Sequence, residues 1–562
     1  KPGPKVEPVK EAVNSGSKIV AAAPSISTDA GVKAIVDARR RAIAGPPVPK
    51  TYIEAVKGFF GSQKETVDNT GLAGYFSISS HNFKIVDPAK EPIQPQLPGL
   101  DWFQSIKLRF PSRDSDALLK SFNVHCVNYL ACNKPTRAYL TDSDEGDSML
   151  ARRLASLSRV RSVCDYDSPE LEQNLRRCVY DYVCSDNFWH HVSSKSAGLQ
   201  SGTKAQIFGV TRSKDGRSSV DGAAFGLAWQ AIWEHVCLVI AGKNPELKIK
   251  PFIKDEPTKG TKIDEGRLRI ISALDVYESV LHLALSDCLI RDDVDNHVRK
   301  PWVIGADLDH VDFGERFYSE LGENFVDEDE SARDWNVNQV CVNWLIKYFN
   351  SLYGEKSIEA KLFPTVFGVG AVPAFYLANG RKLTQNFKGF LKSGWALTLH
   401  VNSVLTVAYE MGLRSTHDSS NYVIPKMLAM GDDKVVRERK GFSHEDVAEY
   451  YKSLGKIVTQ GEKSFCSRKL KRLESGRWIM QNVNFDKSAY NLASQKTREG
   501  KLAAAKSMMH NFVFAEGEVL AKMVQILDAM GVSGELQLWT GQATIARTTM
   551  PAGKCLPVDL VE

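Results

Sequence analysis

Residues 422–437, YVIPKMLAMGDDKVVR, hold two adjacent carboxylates, Asp432 and Asp433, between apolar runs. Met427, Leu428, Ala429 and Met430 lead in, and Val435 and Val436 lead out toward charge. This pattern predicts a buried β-hairpin with both acids at its tip. Gly431 suits the turn, because without a Cβ it enters positive φ at no steric cost. Carboxylates side by side repel, by roughly 4 kcal/mol at ~4 Å and an effective dielectric of about 20. A hard divalent ion such as Mg²⁺ takes oxygen ligands, so a third carboxylate from elsewhere would complete a two-ion site. An acidic pair in a turn is ordinarily just solvated, and the reading depends on what lies upstream.

Residues 324–335, NFVDEDESARDW, begin as a short strand, pass through acids and continue as an amphipathic helix over about 336–352. Asp329 would sit at the strand end facing Asp432, and Asp334 at the following turn. Acids are also favoured at a helix N-terminus for the dipole alone. Residues 393–403, SGWALTLHVNS, read as a loop entering a helix that runs to about Leu413. Gly394 lets that loop flex, while Ser393, Thr398 and Asn402 supply polar groups, the last two on one helix face. Residues 361–391 read as hairpin-like strands turning at Gly368, Gly370 and Gly380.

Residues 248–271, KIKPFIKDEPTKGTKIDEGRLRII, carry Lys254, Lys262, Arg267 and Arg269. Arg267–Ile271 alternates as a strand with both guanidinium groups on one face. Cations aligned this way suit a triphosphate, because Arg pairs bidentately with phosphate oxygens. Ser196, Ala197 and Gly198 form a small-residue loop that would let backbone approach a nucleic-acid strand, although ordinary loops share this composition. Beyond the acidic pair, a helix over 444–454 leads to Lys456, Lys463 and a strand or turn at Phe465-Cys466-Ser467-Arg468. Further helices are expected near 114–129, 170–184, 277–291, 501–512 and 517–530.

At 562 residues the chain exceeds a single core, and 43% hydrophobic with 25% charged residues is ordinary for a globular protein. No apolar run is expected to span a membrane, and no signal-peptide pattern is present. The net charge of +5 is mild but leaves room for a concentrated basic channel. Ten cysteines without a Cys-x-x-Cys pair argue against a zinc ribbon or disulfide framework and suit a reducing cytosolic setting. Cys178, Cys184, His190 and His191 come nearest to a metal-ligand set, with buried thiols the commoner reading. Residues 1–48 read as a flexible leader with one short helix near 32–44 and a basic Arg39-Arg40-Arg41. Residues 51–100 take no firm assignment. A chain starting at Lys1 is expected to be a processed polyprotein product or a trimmed one.

Taken in order, these segments resemble the motifs of RNA-dependent RNA polymerases from positive-strand RNA viruses. Motif A is similar to Asp329-x4-Asp334, motif B to Ser393-Gly394-x3-Thr398-x3-Asn402-Ser403, and motif C to Gly431-Asp432-Asp433. Motif F resembles Lys254-Asp255-Glu256 through Arg267-x-Arg269, motif D Leu454 through Lys463, motif E residues 465–468, and motif G Ser196-Ala197-Gly198. The resemblance covers about 196–470 and leans toward the sobemovirus/luteovirus-like and picornavirus-like branch. Arg333, where that branch has an aromatic residue, and His400-Val401 depart from the pattern.

The resemblance implies an α+β right-hand polymerase: leader 1–48, fingers 49–286 and 365–391, palm 287–364 and 392–485, and a small helical thumb 486–562. It implies Mg²⁺, with Mn²⁺ as a substitute, on Asp329, Asp432 and Asp433, and Lys463 as general acid with Lys456 second. Lys254, Lys262, Arg267 and Arg269 would meet the triphosphate, and Asp334, Ser393, Thr398 and Asn402 the ribose. RNA template, nascent RNA and NTPs would be the substrates, with a protein primer and other viral replication proteins as further partners. The setting implied is the host cytoplasm, in membrane-associated replication complexes. A reverse transcriptase lacks the Asp334–Asn402 set. A catalytically degenerate RNA-binding relative would not keep all three acids, and an unrelated hydrolase leaves the motif order unexplained.

Overall fold

The computed structural model describes residues 72, 74–88, 90–193, 201–416, 422–437, 439 and 441–534. The expected leader, its basic Arg39-Arg40-Arg41, and the Ser196-Ala197-Gly198 loop lie outside the described residues.

The fold is α+β. The expected hairpin is present as strands Met427–Met430 and Asp433–Arg437, joined through Gly431 at φ +67°. It forms two strands of a four-stranded antiparallel sheet, followed by Phe325–Glu330 and then Val458–Gln460 at the edge. Leu428 and Val435 pack with Phe317, Phe325, Phe465 and Met480 beneath the sheet. Helix Thr398–Ser415 lies against the hairpin with nearly its whole length buried. Its His400, Asn402, Ser403, Thr406 and Glu410 are buried too. Polar groups in that position must find partners, and theirs build the site described below.

A second sheet has five strands, in the order Phe76–Ser80, Arg381–Gln385, Val372–Tyr376, Glu246–Ile253 and Ile270–Leu274. Only the Glu246–Ile253/Val372–Tyr376 pair is parallel. The expected hairpin around Gly380 is its Val372–Gln385 portion, whereas 363–367 is a 3₁₀ turn rather than strand. Arg267 and Arg269 also fall short of a strand, which begins at Ile270. Their guanidinium groups are drawn to Glu265 and Glu256, and Gly266 at φ +75° breaks the extended run.

Helix Gln339–Tyr353 starts three residues later than its periodicity suggests, because Asn338 caps the amides of Val340 and Cys341. Helix His444–Ser453 begins with a reciprocal Ser443/Asp446 capping box. Helices Phe485–Ala493, Arg498–Asn511 and Gly517–Ala529 share one apolar core with Phe103 and, at its margin, Leu97, Leu100, Trp102 and Phe110. The segment that took no assignment from sequence thus belongs partly with the C-terminal helices.

Helix Gly222–Ile240 is long and apolar enough to cross a membrane by length and composition alone, and over half of it is buried inside the fold. Within the fold it buries Phe225, Trp229, Ile232, Trp233 and Val236.

Candidate active site

Strand pairing brings the separated acids together. The register runs Arg437 against Phe325, Val436 against Val326, Val435 against Asp327 and Lys434 against Glu328. One further step along this ladder sets Asp433 beside Asp329, with Asp432 next to it in the turn. Charge coupling agrees with the pairing. Burial, then Asp432 and then Asp329 push the Asp433 carboxyl up to about 6, against hydrogen bonding from Cys466. Asp329 is also raised, by burial and by Asp432, while Lys262 acts in the opposite direction. Among the described residues, the set of three ligand atoms close enough for one ion is Asp307, Asp309 and His510. Asp309 there is held bidentately by Arg468, and Asp307 lies 3.4 Å from His510, so those acids already have basic partners. Asp329, Asp432 and Asp433 stand more openly, as mutually repelling carboxylates do, and their oxygen donors suit a hard divalent cation.

The turn is fixed from behind. The Gly431 N–H donates to Ser403 Oγ at 2.8 Å, and Thr406 Oγ1 donates to the Gly431 carbonyl at 2.8 Å. Thr406 also accepts from Arg333 at 2.7 Å, and Arg333 donates to the Asn402 carbonyl at 2.9 Å and pairs with Glu330. Arg333, the departure from the aromatic pattern, therefore ties the end of the Phe325–Glu330 strand to the long helix, over the Tyr409 ring. His400, the other departure, lies 3.0 Å from Tyr348 and 2.6 Å from Asp293, which also meets Lys300 and Trp302. Neither role has a sequence signal, since each depends on what the fold brings alongside.

Under the hairpin lies a closed set of buried charges. Arg439 pairs with both oxygens of Glu328 at 2.6 and 2.9 Å and with Glu410 at 2.6 Å, and Lys434 reaches Glu328 at 2.5 Å. Burial opposes ionisation of Glu410, but Arg439, Lys434 and Arg414 hold its carboxyl far below the usual range.

Asp334 accepts from Ser393 Oγ and, at 3.0 Å, from Asn402 Nδ2. Burial leads in raising its carboxyl, and Arg269 is among the groups that lower it. Thr398 does not join them: its hydroxyl turns to the Lys392 and Trp395 carbonyls at 2.7 and 2.9 Å and closes the loop. Gly394 serves close approach rather than flexing, because a Cβ there would lie 2.5 Å from the Ser272 carbonyl.

The cations divide. Lys262 and Arg269 act on the acids just described. Lys254 lies 3.4 Å from Glu256, and Arg267 is paired with Glu265. Lys463 is exposed and at φ +56°, its amide donating to Asp327 Oδ1 at 2.8 Å. Lys456, second choice as proton donor, is buried between Glu330 at 2.9 Å and the Asn336 carbonyl at 2.7 Å. That environment removes it from the reaction. The Cys178 thiol faces the Ala284 carbonyl at 3.6 Å, inside the packing.

Residues 374–494 match the family described as viral RNA-directed RNA polymerase. The match spans the long helix, the acidic hairpin and the strands beyond it. The chain is 26% identical over 299 residues to the RNA-directed RNA polymerase of Mushroom bacilliform virus, covering 50% of this chain and 68% of that protein. It is 25% identical over 229 residues to the replicase polyprotein P2AB of Cocksfoot mottle virus, covering 38% and 22%. The corresponding polyprotein of Southern cowpea mosaic virus is 25% identical over 215 residues, covering 37% and 21%. The chain thus spans about a fifth of the length of these two polyproteins. By these matches the chain is similar, over residues 374–494 and in its aligned portions, to RNA-directed RNA polymerases and replicase polyproteins of viruses.

Proposed function

We propose that this chain copies RNA on an RNA template, joining NTPs to an RNA 3′-hydroxyl, within a right-hand architecture. The observation that supports the reading is the ladder ending at Lys434 opposite Glu328, which leaves Asp433 and Asp329 as the next residues on adjoining strands, together with the hydrogen-bonded Asp334–Ser393–Asn402 group. The four-stranded sheet would be the palm, the five-stranded sheet part of the fingers, and the C-terminal helices the thumb. Two Mg²⁺ ions on Asp329, Asp432 and Asp433 would, when bound, acidify the 3′-hydroxyl and offset charge on the leaving pyrophosphate. Lys262 and Arg269, with Lys254 and Arg267 nearby, neutralise the triphosphate, and Lys463 donates a proton to the pyrophosphate. The buried clamp through Ser403, Thr406 and Arg333 keeps the acids oriented without substrate. Ser196, Ala197 and Gly198 contact the template backbone. Protein partners would include a primer protein and other viral replication proteins in cytoplasmic, membrane-associated complexes.

Primer extension on RNA and DNA templates, with and without Mg²⁺, tests this reading. RNA-templated, Mg²⁺-dependent synthesis is expected, and its absence from folded protein overturns the proposal. Because Asp433 is raised to about 6, it takes up a proton as pH falls through that value. Apparent Mg²⁺ affinity should therefore weaken below pH 6 and strengthen above it. In the metal-free protein the linkage has the opposite sense. The folded state binds the extra proton between about pH 4 and pH 6, so this group lowers stability as pH rises through that window.

Asn402→Ala removes one of the two donors to Asp334 and is expected to reduce discrimination against deoxynucleotides by about tenfold. Loss of a group that reads a hydroxyl costs on the scale of one hydrogen bond to a charged partner. The ratio of kcat/KM for a ribonucleotide and its 2′-deoxy analogue measures it, and an unchanged ratio removes Asn402 from sugar selection.

A further inference from the structure

Glu256 gathers three cations from three parts of the chain. Arg269 Nη1 lies 3.3 Å from Oε1, and Lys487 and Lys254 lie 3.0 and 3.4 Å from Oε2. The carboxylate is only 13% exposed, whereas Arg269 is 70% exposed and reaches the electrostatic field of Asp334. Burial opposes its charge, yet the Lys487 hydrogen bond and the surrounding cations keep Glu256 below its usual range. Its neighbour Asp255 is anchored separately by Arg113 at 2.9 Å.

Lys487 comes from helix Phe485–Ala493, which the C-terminal core holds firmly. Phe485 meets Phe512 edge-on at 5.3 Å and Trp102 at 5.9 Å. Tyr490 stacks on Phe103 at 5.7 Å and donates to Gln94 at 3.0 Å. A cation on this helix therefore stands where the C-terminal core sets it.

We propose that Lys487 is a positioning residue of the nucleotide site, acting through Glu256 to free Arg269 for the incoming triphosphate. The inference rests on the polymerase reading above. Arg269 holds one carboxylate oxygen and must leave it to pair with phosphate. Lys487 on the other oxygen makes this exchange easier in two ways. It weakens the pull of Glu256 on Arg269, and it screens the carboxylate from an anion arriving nearby. The C-terminal core is thereby coupled to nucleotide binding without touching the nucleotide.

Steady-state single-nucleotide incorporation by the full chain tests the coupling. Lys487→Met should raise KM for the NTP about three- to fivefold, the scale for a partly exposed charge, with kcat nearly unchanged. Lys487→Arg should restore KM. In Glu256→Gln/Lys487→Met, KM should equal that of Glu256→Gln alone, because the carboxylate Lys487 acts on is gone. Lys487→Gln serves equally if the Met variant folds poorly. Unchanged KM, a fall in kcat at constant KM, or simple multiplication of the two single effects overturns the inference while leaving a working polymerase. Folded wild-type protein that makes no RNA removes both this inference and the reading beneath it.

Discussion

Asp432→Ala is expected to yield a folded protein that no longer extends an RNA primer, with a loss on the order of 10³-fold or more. A loss of that size corresponds to ~4 kcal/mol of transition-state stabilisation, the scale of a metal ligand in phosphoryl transfer. Stability should move the other way. Asp432 heads the charges that push up Asp329 and, after burial, Asp433, so removing it relieves repulsion in metal-free protein. A thermal melt in chelator should therefore show a midpoint no lower than wild type. The rise in midpoint that Mg²⁺ gives the wild type should shrink or vanish. Full primer extension by the variant would end the metal assignment. A cooperative loss of structure would instead mean that Asp432 supports the hairpin.

The second large effect lies beneath the site. Arg439→Leu should destabilise the protein by about 3–5 kcal/mol, the usual cost of removing one partner from a buried ion pair. Arg439 joins Glu328 and Glu410, both buried, and without it Glu328 keeps only Lys434 while Glu410 keeps the more distant Lys434 and the partly exposed Arg414. The acid limb of the stability profile should change as well. Glu410 is held far below its unfolded value, so it contributes stability above about pH 4 that is lost as pH falls. In the variant that dependence flattens. Adding Glu410→Gln to Arg439→Leu should recover part of the loss, because it removes one of the stranded charges. Denaturant midpoints at pH 7 and pH 4 measure both effects. A variant as stable as wild type would show that the four charges contribute nothing net.

Local pattern alone specified the hairpin. The apolar runs at 427–430 and 435–436 and the glycine at 431 leave few conformations open, because apolar spacing and turn chemistry are properties of neighbours in sequence. The same holds for the long helix after Thr398 and the helix at 444, whereas the shared role of Asp334, Ser393 and Asn402 comes only from the family resemblance, and their hydrogen bonds from the fold. Expectations tied to single side chains fared differently. Arg267 and Arg269 alternate like a strand, but Glu265 and Glu256 draw them out of it. Thr398 shares a helix face with Asn402, yet its hydroxyl is consumed closing its own loop. Lys456 is the second candidate for general acid and is locked against Glu330 in the fold.

What sequence determined by itself was the set of elements and the identity of the acidic residues, since these depend on periodicity and on residue chemistry. The tertiary structure decided which charges are spent and which remain free. Arg333, Thr406 and Arg439 carry no local signature, and the partners that tie them to the site (Asn402 and Thr406, Gly431, and Glu328 and Glu410) lie 25 to 111 residues away. The same is true of the segment around Phe103, whose side chains are apolar without a period and find their core only among helices almost four hundred residues later. Burial and pairing are set by what lies across a contact, and that information exists only once the chain has folded.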